Sequence, residues 1–334
     1  MANDAKDPEP PAEPPAEGPP REAPDPAAPH PERETEPVFD PEASSELTAR
    51  HVRDDVVVEV KKVTSGYGDE IVLRDVSVNV RRGEVMVILG GSGCGKSTLL
   101  KHMIGLLPPI SGEVRVLGVD VVHASEREME ELYKKIGIVY QSGALYGSLT
   151  VAENVALPLV EHTNLDRKII DISVRMKLGL VNLSGFEDRL PSELSGGQIK
   201  RVAFARAIAM DPQVLFCDEP SAGLDPRIAR GLDDLIRNLN AAFDMAIVVV
   251  THEMESVRLI ADRITMLAPM PGGARVVFQG TYDELLACQD PVVRDFVARA
   301  PLTEPRTESK ERTQDRRASA RSGTERWETV PMRT

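Results

Sequence analysis

Cysteine is scarce in this chain, positive charge is outweighed, and no apolar run approaches the ~18–20 residues that span a bilayer. The three cysteines, Cys94, Cys217 and Cys288, are spaced as neither a metal site nor a disulfide framework. Cys94 and Cys217 read as small, buried packing residues. Forty basic side chains face 53 acidic ones, a net charge of −13. That balance disfavours nucleic acid as a partner, because a phosphate backbone wants a basic face. The acidic start lacks the positive segment and apolar core of a secretory signal. The expectation is a cytoplasmic protein whose contact with any membrane runs through partners.

Charge and proline are unevenly spread. Residues 1–50 hold 13 of the 26 prolines and 13 acidic against 4 basic residues, a net of −9. Such a segment cannot offset the entropy of ordering it, so residues 1–52 are expected to be a disordered acidic tail. Residues 301–334 are polar and Arg-rich, with 8 basic and 6 acidic side chains, and are expected to be disordered too. Residues 53–300 then form one α/β domain, without internal repeats.

Within that domain Gly90-Gly91-Ser92-Gly93-Cys94-Gly95-Lys96-Ser97 is a complete phosphate-loop motif. The apolar run Glu84–Leu89 before it reads as a buried parallel strand, and Thr98–Ile104 after it has helical spacing. Glycines let the backbone close around phosphate oxygens, and the helix start aims free N–H groups at them. Lys96 is expected to neutralise the β- and γ-phosphates, and the Ser97 hydroxyl to complete a Mg²⁺ shell. A second apolar run, Val214–Phe216 and Cys217, ends in Asp218 and Glu219. Two carboxylates at the C-terminal end of a buried strand suit a metal ligand, Asp218, and a base for the attacking water, Glu219.

Residues 56–300 resemble the ATP-binding cassette (ABC) ATPases, with the motifs in the family's order. The resemblance implies a P-loop NTPase (RecA-like) α/β fold with a helical subdomain inserted at about 143–196. It implies that Tyr67 stacks on adenine and that residues 90–98, from Gly90 to Thr98, hold phosphate. Gln141 would touch Mg²⁺ and lie near the transporter contact, and His252 would contact the γ-phosphate. Ser195, Gly196, Gly197 and Gln198 would be presented to the γ-phosphate held by a second copy, and Asp225 would close the segment that crosses between copies. With one cassette in the chain, a homodimer hydrolysing ATP with Mg²⁺ follows. The catalytic set is then Glu219, His252, Gln141 and Lys96, with Ser97, Gln141 and Asp218 on the metal.

Finer features point further. Val151–Leu157 reads as a helix ended by Pro158, and a second helix is predicted from near Asp166 to Leu178 with Gly179 at its end. Thr281 and Glu284 form a capping box, and Asp290-Pro291 starts a helix reaching Arg299. The stretches Gln141–Tyr146, Leu149–Val151, Asn154–Leu159 and Glu161–Thr163, with Met176–Leu180 and Leu190–Leu194, resemble the Mla/MCE-associated branch. That branch implies an ATPase on the cytoplasmic face of a bacterial inner membrane. Its implied partners are an integral permease and an MCE-domain lipid-binding protein, with room for a small regulatory subunit. Its implied cargo is phospholipid or other lipid. The alternatives are the ATPase of another importer, such as one for amino acids, or a soluble ATPase of iron–sulfur cluster assembly.

Overall fold

The computed structural model describes residues 55–68 and 70–299; the tails expected at 1–52 and 301–334 lie outside them. Strands β1 (Val56–Tyr67) and β2 (Glu70–Arg81) pair antiparallel, followed by β3 (Val85–Gly90) and helix α1 (Lys96–Met103). Next come β4 (Ser111–Val116), β5 (Val119–Asp120), α2 (Glu126–Tyr133) and β6 (Ile136–Val139). Three helices intervene, α3 (Val151–His162), α4 (Arg167–Leu180) and α5 (Gly196–Ala207), before β7 (Val214–Asp218). The rest is α6 (Pro226–Phe243), β8 (Ala246–Thr251), α7 (Met254–Ile260), β9 (Arg263–Ala268), β10 (Arg275–Gly280), α8 (Tyr282–Ala287) and α9 (Pro291–Arg299).

Two sheets result. One is antiparallel, in the order β2-β1-β4-β5. The other runs β10-β9-β3-β8-β7-β6, with five parallel strands and β10 antiparallel at the edge. Strands β3 and β8 are buried throughout, as parallel strands covered on both faces must be. Their alternate residues feed different cores. Val85, Val87 and Leu89 join Leu215, Cys217, Ile247 and Val249 against the helices on one face. Met86 and Ile88 join Val214, Phe216, Val248 and Val250 on the other, with α1 and the antiparallel sheet. A strand pleat of period two is what lets six-residue segments serve both cores.

The helix starts largely follow local chemistry. Ser125, Thr150, Asp166, Ser195, Asp225 and Thr281 each accept a first-turn backbone N–H through a side-chain oxygen. The helix ends depart from it twice. Helix α3 runs through Pro158 and ends at His162. Pro158 cannot donate to the carbonyl of Asn154. The buried stripe Val151, Val155 and Leu159 continues past the proline, and the core it fills outweighs the lost bond. Helix α4 likewise passes Gly179 and ends at Leu180. Its left-handed terminating residue is Asn182, φ 57°. The N–H of Leu183 donates to the Leu178 carbonyl (2.9 Å) and that of Asn182 to Gly179 (3.0 Å). Asparagine here takes the role usually given to glycine in that paired arrangement. Burial of Leu178 and Val181 carries the chain beyond Gly179.

If burial overrides the proline in this way, Pro158→Ala should restore a helical hydrogen bond at little cost. The expected gain is ~1–2 kcal/mol, the helix-interior proline penalty less the lost rigidity of the unfolded chain. Thermal melting of the two proteins measures it, and an equal or lower melting temperature for the variant would contradict the explanation.

Candidate functional site

The C-terminal ends of β3, β8 and β7 lie side by side, with Leu89 paired to Thr251 and Asp218 to Val250. Gly90, Asp218 and Thr251 therefore reach one edge of the sheet together. The loop after β3 turns through left-handed Gly93 (φ 77°) and Gly95 (φ 87°), and α1 begins. No side chain caps α1 and its first turn holds no acid. Its free amides and positive dipole end thus face the loop, ready for an anion.

A cavity of about 550 Å³ opens there, lined by Tyr67, Val72, Ser92, Gly93, Gly95, Lys96, Ser97, Thr98, Gln141, Glu219 and His252. Lys96 is buried, and its ammonium donates to the carbonyls of Gly90 and Gly91, each at 3.0 Å. It stands 3.7 Å from the Glu219 carboxylate. The Ser97 hydroxyl donates to Asp218 Oδ1 at 2.9 Å. Nδ1 of His252 lies 3.0 and 2.9 Å from the two carboxylate oxygens of Glu219. In the tautomer protonated at Nδ1 the ring donates to that carboxylate. Glu219 adopts a left-handed backbone, φ 46°, a conformation that costs a non-glycine residue ~1–2 kcal/mol. Its N–H bonds the Val250 carbonyl at 2.9 Å, so β8 fixes the strained residue. Tyr67, 53% exposed, stands at the rim.

Other expected residues lie elsewhere. Cys94 is buried beneath the loop, its sulfur close to where a side chain on Gly90 would sit. Burial pushes the Cys94 and Cys217 thiols up. Cys288 is partly exposed. Ser195, Gly196, Gly197, Gln198 and Asp225 do not line the cavity. Ser195 accepts from the Gln198 N–H (3.3 Å), and Gln198 Oε1 accepts from the Ser195 N–H (2.8 Å). Asp225 caps α6 by accepting from the Arg227 N–H at 2.9 Å. Gly197 packs on Ile228, leaving 2.6 Å to an added Cβ. The starts of α5 and α6 therefore pack into one surface.

The similarities of the chain bear on what the cavity holds. The ABC transporter family model matches residues 73–222. A relative from Mycobacterium leprae, the probable ribonucleotide transport ATP-binding protein mkl, is 41% identical over 242 residues, which cover 72% of this chain and 69% of that protein. The intermembrane phospholipid transport system ATP-binding protein MlaF of Haemophilus influenzae is 40% identical over 241 residues, 72% of this chain and 90% of that one. This chain belongs to the ABC transporter family. The dimeric, post-hydrolysis structure of the ATP-binding cassette MJ0796, bound to ADP and Pi, matches with a TM-score of 0.61 and 32% identity. It covers 67% of this chain and 98% of that one. The fold is therefore that of a P-loop ABC cassette, and its activity is ATP hydrolysis coupled to transport. Among the described residues no helix of the cassette is long and apolar enough to cross a membrane.

Two features escaped the sequence reading. Lys200 is buried on α5 at the helical spacing of Gly197 and Phe204, a spacing that could have marked it as inward-facing. Asp233 on α6 is also buried, accepting from the Ser256 hydroxyl of α7 at 2.9 Å. Asp233 and Ser256 line a second cavity of about 650 Å³ with Gly91, Ser92 and His252. Burial raises the Asp233 carboxyl to about 7; the Ser256 hydrogen bond opposes this and the charges of Glu253, Asp234 and Glu255 add to it.

The sign of the pH effect follows. The folded chain keeps this proton from pH ~4 to about 7, while the unfolded chain loses it near the ordinary carboxylate value. Folding stability contributed by Asp233 is thus present at low pH and lost as pH rises through that window. Asp233→Asn should gain on the parent by at least ~1 kcal/mol between pH 5 and pH 8. Denaturant melts at both values measure the change, and a pH-independent difference would contradict the buried-acid assignment.

Proposed function

We propose that this cassette is the ATP-hydrolysing subunit of a transporter that moves phospholipid or a related lipid across the bacterial cell envelope. In this reading two copies close on ATP. Tyr67 at the cavity rim stacks on adenine, and residues 90–98 wrap the phosphates. Lys96 exchanges its carbonyl and carboxylate contacts for the β- and γ-phosphate oxygens. The arrangement that carries the reading is the Glu219 carboxylate, held by His252 and within 3.7 Å of Lys96. A carboxylate so placed takes the proton of the attacking water, while His252 orients it and reaches the γ-phosphate. Phosphoryl transfer needs positioning and charge stabilisation more than covalent chemistry. Ser97 and Asp218, 2.9 Å apart, offer the hard oxygen donors that Mg²⁺ prefers, with Gln141 at the same cavity. When bound, the ion would neutralise charge on the β- and γ-phosphates.

The second copy supplies Ser195, Gly196, Gly197 and Gln198, a reading supported by their not lining this copy's own cavity. ATP joins the half-sites only because it binds the closed pair better than the open one. The cargo reading is supported by the likeness to MlaF. It implies a permease, an MCE-domain protein and room for a small regulatory subunit, with the cassette on the cytoplasmic face of the inner membrane. The name of the mycobacterial relative favours a second cargo, ribonucleotide.

Glu219→Gln should still bind ATP but turn over at least ~100-fold more slowly, the expected cost of losing a general base. Steady-state phosphate release checks it, and near-normal turnover would remove Glu219 from its role. The cargo is tested separately, by solubilising membranes in mild detergent and identifying what co-purifies with the tagged chain. A polytopic permease with an MCE-domain protein is expected; a soluble iron–sulfur scaffold, or no membrane partner, would overturn the lipid assignment.

A further inference from the structure

Helix α5 begins with the segment assigned to the partner copy's γ-phosphate, yet its middle and end are bound to this copy's own Gln141 loop. Lys200 is 6% exposed, and its ammonium donates to the backbone carbonyl of Gln141. Burial lowers its pKa, and the Glu219 charge pulls it back up. Two turns on, the Arg206 guanidinium donates to the carbonyls of Gly143 (3.0 Å) and Ala144 (2.9 Å). Between the two cations the loop lies directly on the helix. Gly143, at φ 79°, leaves only 2.9 Å between an added Cβ and Ile199 Cγ2.

The loop is also held by α3. Asn154 of α3, fully buried, accepts the Tyr146 N–H (2.8 Å) and donates to the carbonyls of Tyr146 (3.1 Å), Leu149 (3.0 Å) and Thr150 (2.9 Å). Arg206, Tyr140 and Pro158 share the lining of a cavity of about 400 Å³. A cation spent on carbonyls is a directional link, since each N–H needs its acceptor in line. Burying an ammonium away from a paired carboxylate is costly, so the contact is maintained at a price that packing alone would not require.

We propose that Lys200, with Arg206, is a positioning residue that makes the Gln141 loop and α5 move as one body. Displacement of the loop at one ATP site then shifts Ser195 and Gly197 at the other. The inference rests on the assignment of Gln141 and Ser195 to opposite half-sites. Lys200 touches neither phosphate nor water in this scheme, and its effect passes through the Gln141 backbone.

The test is steady-state ATPase kinetics of the full chain carrying Lys200→Met, which keeps the length and removes the donor. The expected result is a kcat about 10-fold lower, in line with a small misplacement of catalytic groups. Affinity for a fluorescent ATP analogue should stay within twofold, the melting temperature should hold, and Lys200→Arg should recover most of the rate. An unchanged kcat, or a loss that appears as weaker nucleotide binding, would overturn the proposal. If the Met variant does not fold, Lys200→Gln is judged by the same criteria. Glu219→Gln run in parallel separates the two levels. Normal hydrolysis in that control removes the site assignment itself, whereas a dead control beside an active Lys200→Met removes only the coupling.

Discussion

The register of three parallel strands governs how Lys96, Glu219 and His252 come together in this cassette. Leu89 faces Thr251, and Val250 faces Asp218, so β3, β8 and β7 finish at one level. A shift of one residue in either pairing would swap the two cores, because alternate side chains feed opposite faces. It would also displace Lys96, Glu219 and His252 from one another. The apolar packing on both faces thus has a chemical effect at the edge. It holds Glu219 in a backbone conformation that would otherwise relax, and the N–H bond to Val250 shows where the restraint acts.

That restraint explains how a short loop, a strand end and a separate histidine form a single cluster. Lys96 is brought by the helix after β3, Glu219 by the residue after β7, and His252 by the residue after β8. None of the three is near another in sequence. Each is placed by a strand whose position is fixed by neighbours, so the cluster inherits the rigidity of the sheet. By contrast, Ser195 and Gly197 belong to the helices packed outside it, against Ile228 and the start of α6.

Much of this was legible in the residues, and the exceptions have physical causes. Strands β3, β7 and β8 are continuous apolar runs because both faces are covered, and their ends were marked by glycine (β3), carboxylates (β7) and histidine (β8). The Thr281–Glu284 cap and the helix from Pro291 follow from local hydrogen-bonding chemistry alone. Pro158 and Gly179 misled for the same reason as each other. Both are local signals to stop, and both were overruled by buried residues just beyond them, Leu159 and Val181. Tyr67, Lys96, Ser97, Gln141, Glu219 and His252 line one cavity although they come from five separate stretches of the sequence. Lys200 and Asp233 did not announce themselves. A charged residue in a helix ordinarily belongs to the solvated face, and apart from the spacing of Lys200 with Gly197 and Phe204, the packing around them is what shows that these two point inward.

The distribution of the three thiols has a practical outcome. Cys94 and Cys217 are buried and their ionisation is suppressed, so the nucleophilic thiolate is scarce at both. Cys288, between α8 and α9, is partly exposed. A maleimide applied to the native protein should therefore mark each copy once, well away from the phosphate loop in sequence. The closing of two copies around nucleotide can be followed with dyes on that natural handle, without first engineering a cysteine-free background.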